Sequence, residues 1–311
     1  MRGIASQHDT LEPPPQWYEL RPHGGGLPRG GGQSAPPPRP YEQGGGAVAG
    51  AWGDDSIPAG GAEILPAPWP NRIADGRWTL EGEEQRLDIT EPSLGNASHG
   101  LLRNTGYRPV HVGDAEVVLE GEIFPQHGYP FHLVHRATYH LTQEQLTVTQ
   151  ELTNLSATAA PFALGAHPYL KISDVPTEDL VLTVLADEVF DTDERSIPTA
   201  KVAVSGQRDL RAGRRIGDIE FDSPFTGLPS GSERHEHVLA APDGRTVTLW
   251  ADPAFEYVHV YISTIYPGVS RAVAVEPMTA PANAFNTGEG LRRLAPGETF
   301  SARWGILPSL G

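Results

Sequence analysis

Four short stretches set groups that can move a proton or grip a hydroxyl among prolines, glycines and aromatics. PAPWPNRIADG carries Arg72, GNASHGLLRN carries His99 and Arg103, GAHPYL carries His167 and Tyr169, and VAVEPMTAPANAF carries Glu276 and Asn283. In the last, an apolar strand, Val273 to Val275, runs into Glu276, and Pro277 fixes the backbone directly behind it. A carboxylate is ionised at neutral pH and can accept a proton. A histidine, ordinarily near ~6.5, can supply one. Each residue alone also has a plain structural reading. Arg72 can pair a carboxylate, His99 can cap a turn, and His167 can be a packed core histidine, because buried polar groups usually find structural partners.

Other chemistries fit less well. The chain has no cysteine, which removes disulfides, zinc thiolates and thiol nucleophiles. His132 and His135 are three apart on an expected strand and so point to opposite faces. His235 and His237 are two apart and share a face, with no third ligand evident, so no metal site is expected. Gly44-Gly-Gly46 follows a Gly/Pro tract instead of a strand, unlike a dinucleotide loop. Ser270 in GVSRA lacks the second glycine of a nucleophile elbow.

The elements that must position these groups read as strands. Period-two alternation runs through Phe131–Tyr139, Leu146–Leu152, Val117–Ile123, Leu180–Leu185, Val247–Ala251, Tyr257–Ile262, Val273–Val275 and Phe300–Ile306. Turn residues separate them, among them Glu81-Gly82, Asn154, Asp243-Gly244, Pro267-Gly268 and Pro296-Gly297. No long amphipathic helix is found. The expected fold class is all-β, a large antiparallel β-sandwich with few or no long helices. One domain is expected over 47–311. Residues 1–46 are an atypical N-terminal segment. Gly and Pro fill 15 of the 25 positions from 22 to 46, a composition that opposes strands and helices and reads as a disordered loop.

The 311 residues carry a net charge of −16. A negative surface argues against nucleic acid or an anionic membrane as the main partner. No apolar run is long enough to span a bilayer, and the N-terminus has no apolar stretch of the secretory kind. A cytoplasmic location is the expectation. Oligomeric state is not legible.

Taken in order, PWPNRIADGRW, GNASHGLLRN, GAHPYL, FDSPFTGL and VAVEPMTAPANAFNTG with the closing LAPGE resemble the aldose 1-epimerase (galactose mutarotase) family, from about Ala47 to the C-terminus. The resemblance implies a β-sandwich with a sugar-binding cleft on one sheet and a small-molecule sugar as partner. It implies no cofactor. It further implies that Glu276 is the general base and His167 the general acid. Arg72 and His99 would contact ring hydroxyls or the ring oxygen, and Asp222 would hold hydroxyls. Arg103, Tyr169 and Asn283 would line the cleft. The implied reaction opens an aldose ring by acid and base and recloses it on the other face, interconverting α and β anomers of a glucose- or galactose-type hexose.

Three alternatives stand beside this. A hexose-6-phosphate 1-epimerase needs a cation for the phosphate, which Arg103 could supply. A carbohydrate-binding or sensor protein would use the same fold without catalysis. A polysaccharide-cleaving enzyme would use two carboxylates, Asp222 and Glu276, and leave His167 without a role. Residues 22–46 also depart from the family, whose first strands would fall there. A divergent loop is the simpler reading, and a locally shifted reading frame the other.

Overall fold

The structure, a computed structural model, describes residues 61–310. The expectations for residues 1–46 and for a domain start at 47 lie outside them.

Two antiparallel sheets form the body. The larger has nine strands, ordered Arg214–Arg215, Val181–Val184, His235–Ala240, Thr246–Ala251, Thr299–Ser309, Leu146–Asn154, Leu133–Leu141, Glu116–Ile123 and Arg108–Val112. The smaller has six, ordered Tyr169–Leu170, Ala272–Met278, Tyr257–Ser263, Asp222–Thr226, Glu188–Thr192 and Pro198–Ala203. Between them lies one apolar layer. Leu146, Val148, Val247, Leu249 and Ile306 come from the larger sheet, and Phe225, Val258, Val260, Val273 and Val275 from the smaller. These alternate with outward residues along each strand, as a half-buried antiparallel sheet requires. The fold is the expected all-β sandwich.

The strands expected from alternation are present, most of them extended at the ends. The strand leading to Glu276 differs in a useful way. It does not stop at the carboxylate but runs on through Pro277 to Met278, with Pro277 opposite Val258. The pairing explains why proline is accepted. On the far side, Tyr169–Leu170 pairs only with Val273 and Ala274. Beyond that the neighbour is the irregular segment 163–168, so the missing N–H leaves no regular ladder bond unmade. The Pro277 carbonyl still accepts from the Ala166 N–H at 3.1 Å.

A second apolar cluster packs beside the sandwich. Trp69, Trp78, Tyr129 and Phe285 meet there, with Trp78 and Phe285 edge to face at 5.0 Å between ring centres. This cluster anchors the segment 65–102, which lies over the outer face of the six-stranded sheet and brings Arg72 and His99 to it. Its closest backbone approach is at Gly100. There φ is +74°, and a Cβ would meet the Ala67 carbonyl oxygen at 2.2 Å. Gly100→Ala is therefore expected to cost roughly 1–3 kcal/mol, read as a lower urea midpoint. It should also disturb the backbone of the adjacent His99, itself held at φ +62°.

Candidate active site

The outer face of the six-stranded sheet carries the chemistry. Val273 and Val275 enter the core, so Glu276 must point the other way. The same alternation turns His259 outward between Val258 and Val260. Register makes Glu276 and His259 direct cross-strand partners, and the next residue in that row is Pro224. Pro224 offers no donor, and of the two diagonal neighbours on that strand Thr226 gives its hydroxyl to the Glu256 carbonyl at 3.1 Å, which leaves Asp222. The His259 Nε2 is in close contact with Asp222 Oδ1.

Arg72 reaches the cluster from its own short strand, paired with Asn96–Ser98. Its guanidinium is a fork between two carboxylates. Nε and Nη2 donate to Glu91 at 2.8 and 3.1 Å, and Nη2 also donates to Asp222 Oδ2 at 3.2 Å. His99 is held in left-handed backbone, φ +62°. Its N–H donates to the Asn71 carbonyl at 2.7 Å, and its Nδ1 accepts from the Asn71 N–H at 3.3 Å. A ring nitrogen that accepts from a backbone N–H is bare, so the proton of His99 sits on Nε2. Burial lowers the pKa of this ring, as do the neighbouring His167 and Arg103 charges, so it is a neutral donor.

His167 comes from the segment 163–168, which is stitched to both sides. Its N–H donates to Ile64 O at 3.1 Å, and its carbonyl accepts from Glu63 N at 3.0 Å. Ala166 N and Val275 N bind Pro277 O and Pro168 O. This places His167 Nε2 3.2 Å from Glu276 Oε1, with both side chains no more than 4% exposed. The two expected proton-transfer residues, 109 positions apart in the chain, are thus in contact.

Burial drives both toward neutrality. Glu276 is pushed up to about 8, chiefly by desolvation, with the Asp222 charge adding to it and the His259 and Arg72 charges opposing. His167 is pushed down to about 3, again by desolvation first. Asp222 goes the other way. Burial works against its charge, but His259 and Arg72 outweigh it and hold the carboxyl well below the usual range. One neutral carboxyl and one firm carboxylate therefore stand on the same sheet face.

The remaining expected residues fall into three roles. Tyr169 is fully buried, its ring 5.3 Å from His167 and 4.6 Å from Tyr266, so it backs the histidine and offers no open surface. Arg103 is half-buried, close enough to His99 and His167 to depress both, and makes no ion pair among the described residues. Asn283 does not present a free side chain. Its Oδ1 accepts from Ala74 N at 3.2 Å and from Asn286 Nδ2 at 2.7 Å, and its N–H donates to Arg72 O at 2.6 Å. It clamps the Arg72 strand from behind. No group of three metal-ligating side chains is found among the described residues.

Sequence reading missed His259, Asn71 and Glu91. His259 had a signal, since it alternates with Val258, Val260 and Ile262 as Tyr257 and Tyr261 do. Asn71 stood beside Arg72 in a quoted stretch. Glu91 had none, because only the fold brings it to Arg72.

The site is thus a buried carboxyl–imidazole pair on one face of a β-sandwich, flanked by an arginine, two further histidines and an aspartate. Comparison with known proteins gives the lineage. The sequence matches aldose 1-epimerase over residues 52–306, and the chain belongs to that family. It is 32% identical over 235 residues to the uncharacterized protein YihR of Escherichia coli K12, covering 74% of each chain. Galactose mutarotase from Rattus norvegicus is 33% identical over 159 residues, 47% of this chain and 44% of that one, so this match spans less than half of the rat protein. Among solved structures, the GalM/aldose epimerase homologue from C. elegans superposes with TM-score 0.75 at 18% identity, covering 85% of this chain and 87% of that one. Galactose 1-epimerase from Lactobacillus acidophilus gives 0.68 at 19%, covering 86% of each. At those identities the structural likeness speaks for the fold alone.

The protonation states have a consequence for stability. Glu276 ionises near 4.5 when unfolded and near 8 when folded, so its contribution to stability falls as pH rises through that window. His167 protonates near 6.5 when unfolded and near 3 when folded, so its contribution rises with pH between 3 and 6.5. The two oppose each other from 4.5 to 6.5, and the Glu276 cost acts alone from 6.5 to 8. Glu276→Gln should melt higher than the wild type at pH 8, and the difference should shrink toward pH 5. Thermal unfolding across that range measures it.

Proposed function

We propose that the protein is an aldose 1-epimerase that interconverts the α and β anomers of a free hexose. The observation that carries this reading is the 3.2 Å contact between Glu276 and His167, beside the donors of Arg72 and His99 and the acceptor of Asp222. Binding a sugar needs hydrogen bonds. It does not need an acid and a base buried against each other at the cost of desolvating both, which argues against a purely sugar-binding protein.

The reaction follows from these groups. Glu276 takes the proton from the anomeric O1, the O1 lone pair forms the aldehyde C=O, and the C1–O5 bond breaks. O5 takes a proton from His167. The C1–C2 bond turns, and closure runs the transfers backward onto the other face. The ring form calls for ionised Glu276 and protonated His167. The open chain calls for the reverse, a protonated Glu276 that gives its proton to the aldehyde oxygen and a neutral His167 that takes one from the O5 hydroxyl. Burial favours this second state. The protein's own surroundings thus favour the protonation state that the open-chain intermediate calls for. One proton shared by the pair serves both directions, so no net proton is consumed.

A hexose 6-phosphate is the second reading, favoured by the half-buried guanidinium of Arg103 near His99, which has no ion-pair partner among the described residues. Polarimetry on freshly dissolved α-D-glucose, α-D-galactose and glucose 6-phosphate decides between them. The wild type is expected to speed equilibration of a neutral hexose. Glu276→Gln and His167→Asn should each lower kcat/KM by about 10²–10⁴ while remaining folded. Full activity in either variant would refute the assignment. A preference for glucose 6-phosphate that Arg103→Met abolishes would move the reading to the phosphorylated sugar.

A further inference from the structure

We propose that His259 is a positioning residue: from the strand between those of Asp222 and Glu276, it fixes the Asp222 carboxylate toward Arg72 and supplies the positive charge against which Glu276 gives up its proton. The inference deepens the epimerase reading and rests on it.

The argument is geometric. His259 is 2% exposed and lies directly across the ladder from Glu276, where facing side chains have Cβ atoms about 4.5–5.5 Å apart. Its Nε2 meets Asp222 Oδ1, while Asp222 Oδ2 takes Arg72 Nη2 at 3.2 Å. The two oxygens of Asp222 are therefore each committed, and the carboxylate has one orientation. Without His259, two carboxyl groups would share one sheet face with only Arg72 between them and the outside. Arg72 is already divided between Glu91 and Asp222.

The second ring nitrogen fits a change of charge. Nδ1 lies 3.4 Å from the Asn71 side-chain amide. With the amide nitrogen turned to it, a bare Nδ1 accepts. With the amide oxygen turned to it, a protonated Nδ1 donates, at the expense of the long 3.4 Å contact between Arg72 Nη1 and Asn71 Oδ1. Asn71 thus accommodates both states of the ring. Burial disfavours the imidazolium, but the Asp222 carboxylate and then Glu276 outweigh it and raise the ring above its ordinary value. The charged or titratable groups facing His259 are Asp222 on one neighbouring strand, Glu276 on the other, Arg72 from the covering segment, and more distantly His99 and His167. An imidazolium there favours ionised Glu276.

The proposed reaction needs one proton on the Glu276–His167 pair, so activity falls above the pH where Glu276 loses it. Removing the His259 charge should hold that proton on more tightly. In His259→Gln, which keeps a donor and an acceptor but no charge, the alkaline limb of kcat/KM is expected to move up by about one pH unit, the lower end of the effect of a close charge. The carboxyl ¹³C titration of Glu276, assigned by its loss in Glu276→Gln, should move by the same amount. This second readout stands whether or not a sugar turns over. If no hexose is anomerised but the titration shifts, the epimerase reading fails and the role of His259 holds. If anomerisation proceeds and neither limb nor titration moves in folded His259→Gln, the role of His259 is refuted. Should that variant not fold, ¹⁵N spectra of the wild-type imidazoles decide. A His259 ring neutral throughout pH 6–8 overturns the proposal, and a protonated one sustains it.

Discussion

The site depends on a carboxylate placed on the face of a sheet where water hardly reaches it. Isolated burial of an ionised carboxylate is far too costly to persist, and such a group either neutralises or finds a partner. At Glu276 the neighbours do some of each. Desolvation raises the group toward neutrality, His167 takes a place at 3.2 Å, and His259 stands across the ladder. Asp222, two residues before Pro224 where the row of Glu276 crosses its strand, receives both a histidine and an arginine and stays ionised. Two carboxyl groups of similar intrinsic acidity are thus driven apart by their surroundings, one toward neutrality and one toward the ionised form. Separation of this kind is what allows acid–base chemistry at a single pH.

The rest of the fold answers to that arrangement. The valines beneath Glu276 and His259 fix which way each side chain faces, because a one-residue slip of either strand would send the polar groups into the apolar layer. The aromatic cluster of Trp69, Trp78, Tyr129 and Phe285 anchors the segment that carries Arg72 and His99. Gly100 lets that segment approach the Ala67 carbonyl. Asn283 belongs to the same scheme. It spends its side chain and N–H on the Arg72 strand and the turn after it, so that the guanidinium meets two carboxylates from a fixed base.

Much of this was legible in the sequence, for a physical reason. Period-two alternation survives in strands with one buried face, so the sheets were visible, and Glu276 stood out because a charge interrupts an apolar run. The strand's continuation through Pro277 was not visible, since proline is compatible with a sheet only where the neighbouring strand gives way, and that is a property of the partner segment. His259 was overlooked because a histidine between tyrosines in an alternating strand looks like ordinary outward polarity. Its weight comes from register, which puts Glu276 beside it, and from Pro224 and the committed Thr226 hydroxyl, which leave Asp222 as its partner on the other side. Glu91 could not be read at all, because nothing local ties it to Arg72.

Charge alternation carries the argument one step further. From the outside inward the groups run Glu91, Arg72, Asp222, His259, Glu276, His167, and each carboxyl in this series lies next to a nitrogen base or cation. The outer members are partly exposed and the inner three almost wholly buried. The outer pairs are held by fixed charges, whereas in the proposed reaction the innermost pair passes one proton between its partners. A ligand bearing hydroxyls adds donors and acceptors at the inner end without adding charge. It can therefore shift that one proton between Glu276 and His167 while leaving the outer ion pairs intact. For the proposed epimerase reaction, the arrangement is rigid where its charges are permanent and responsive only at the Glu276–His167 pair.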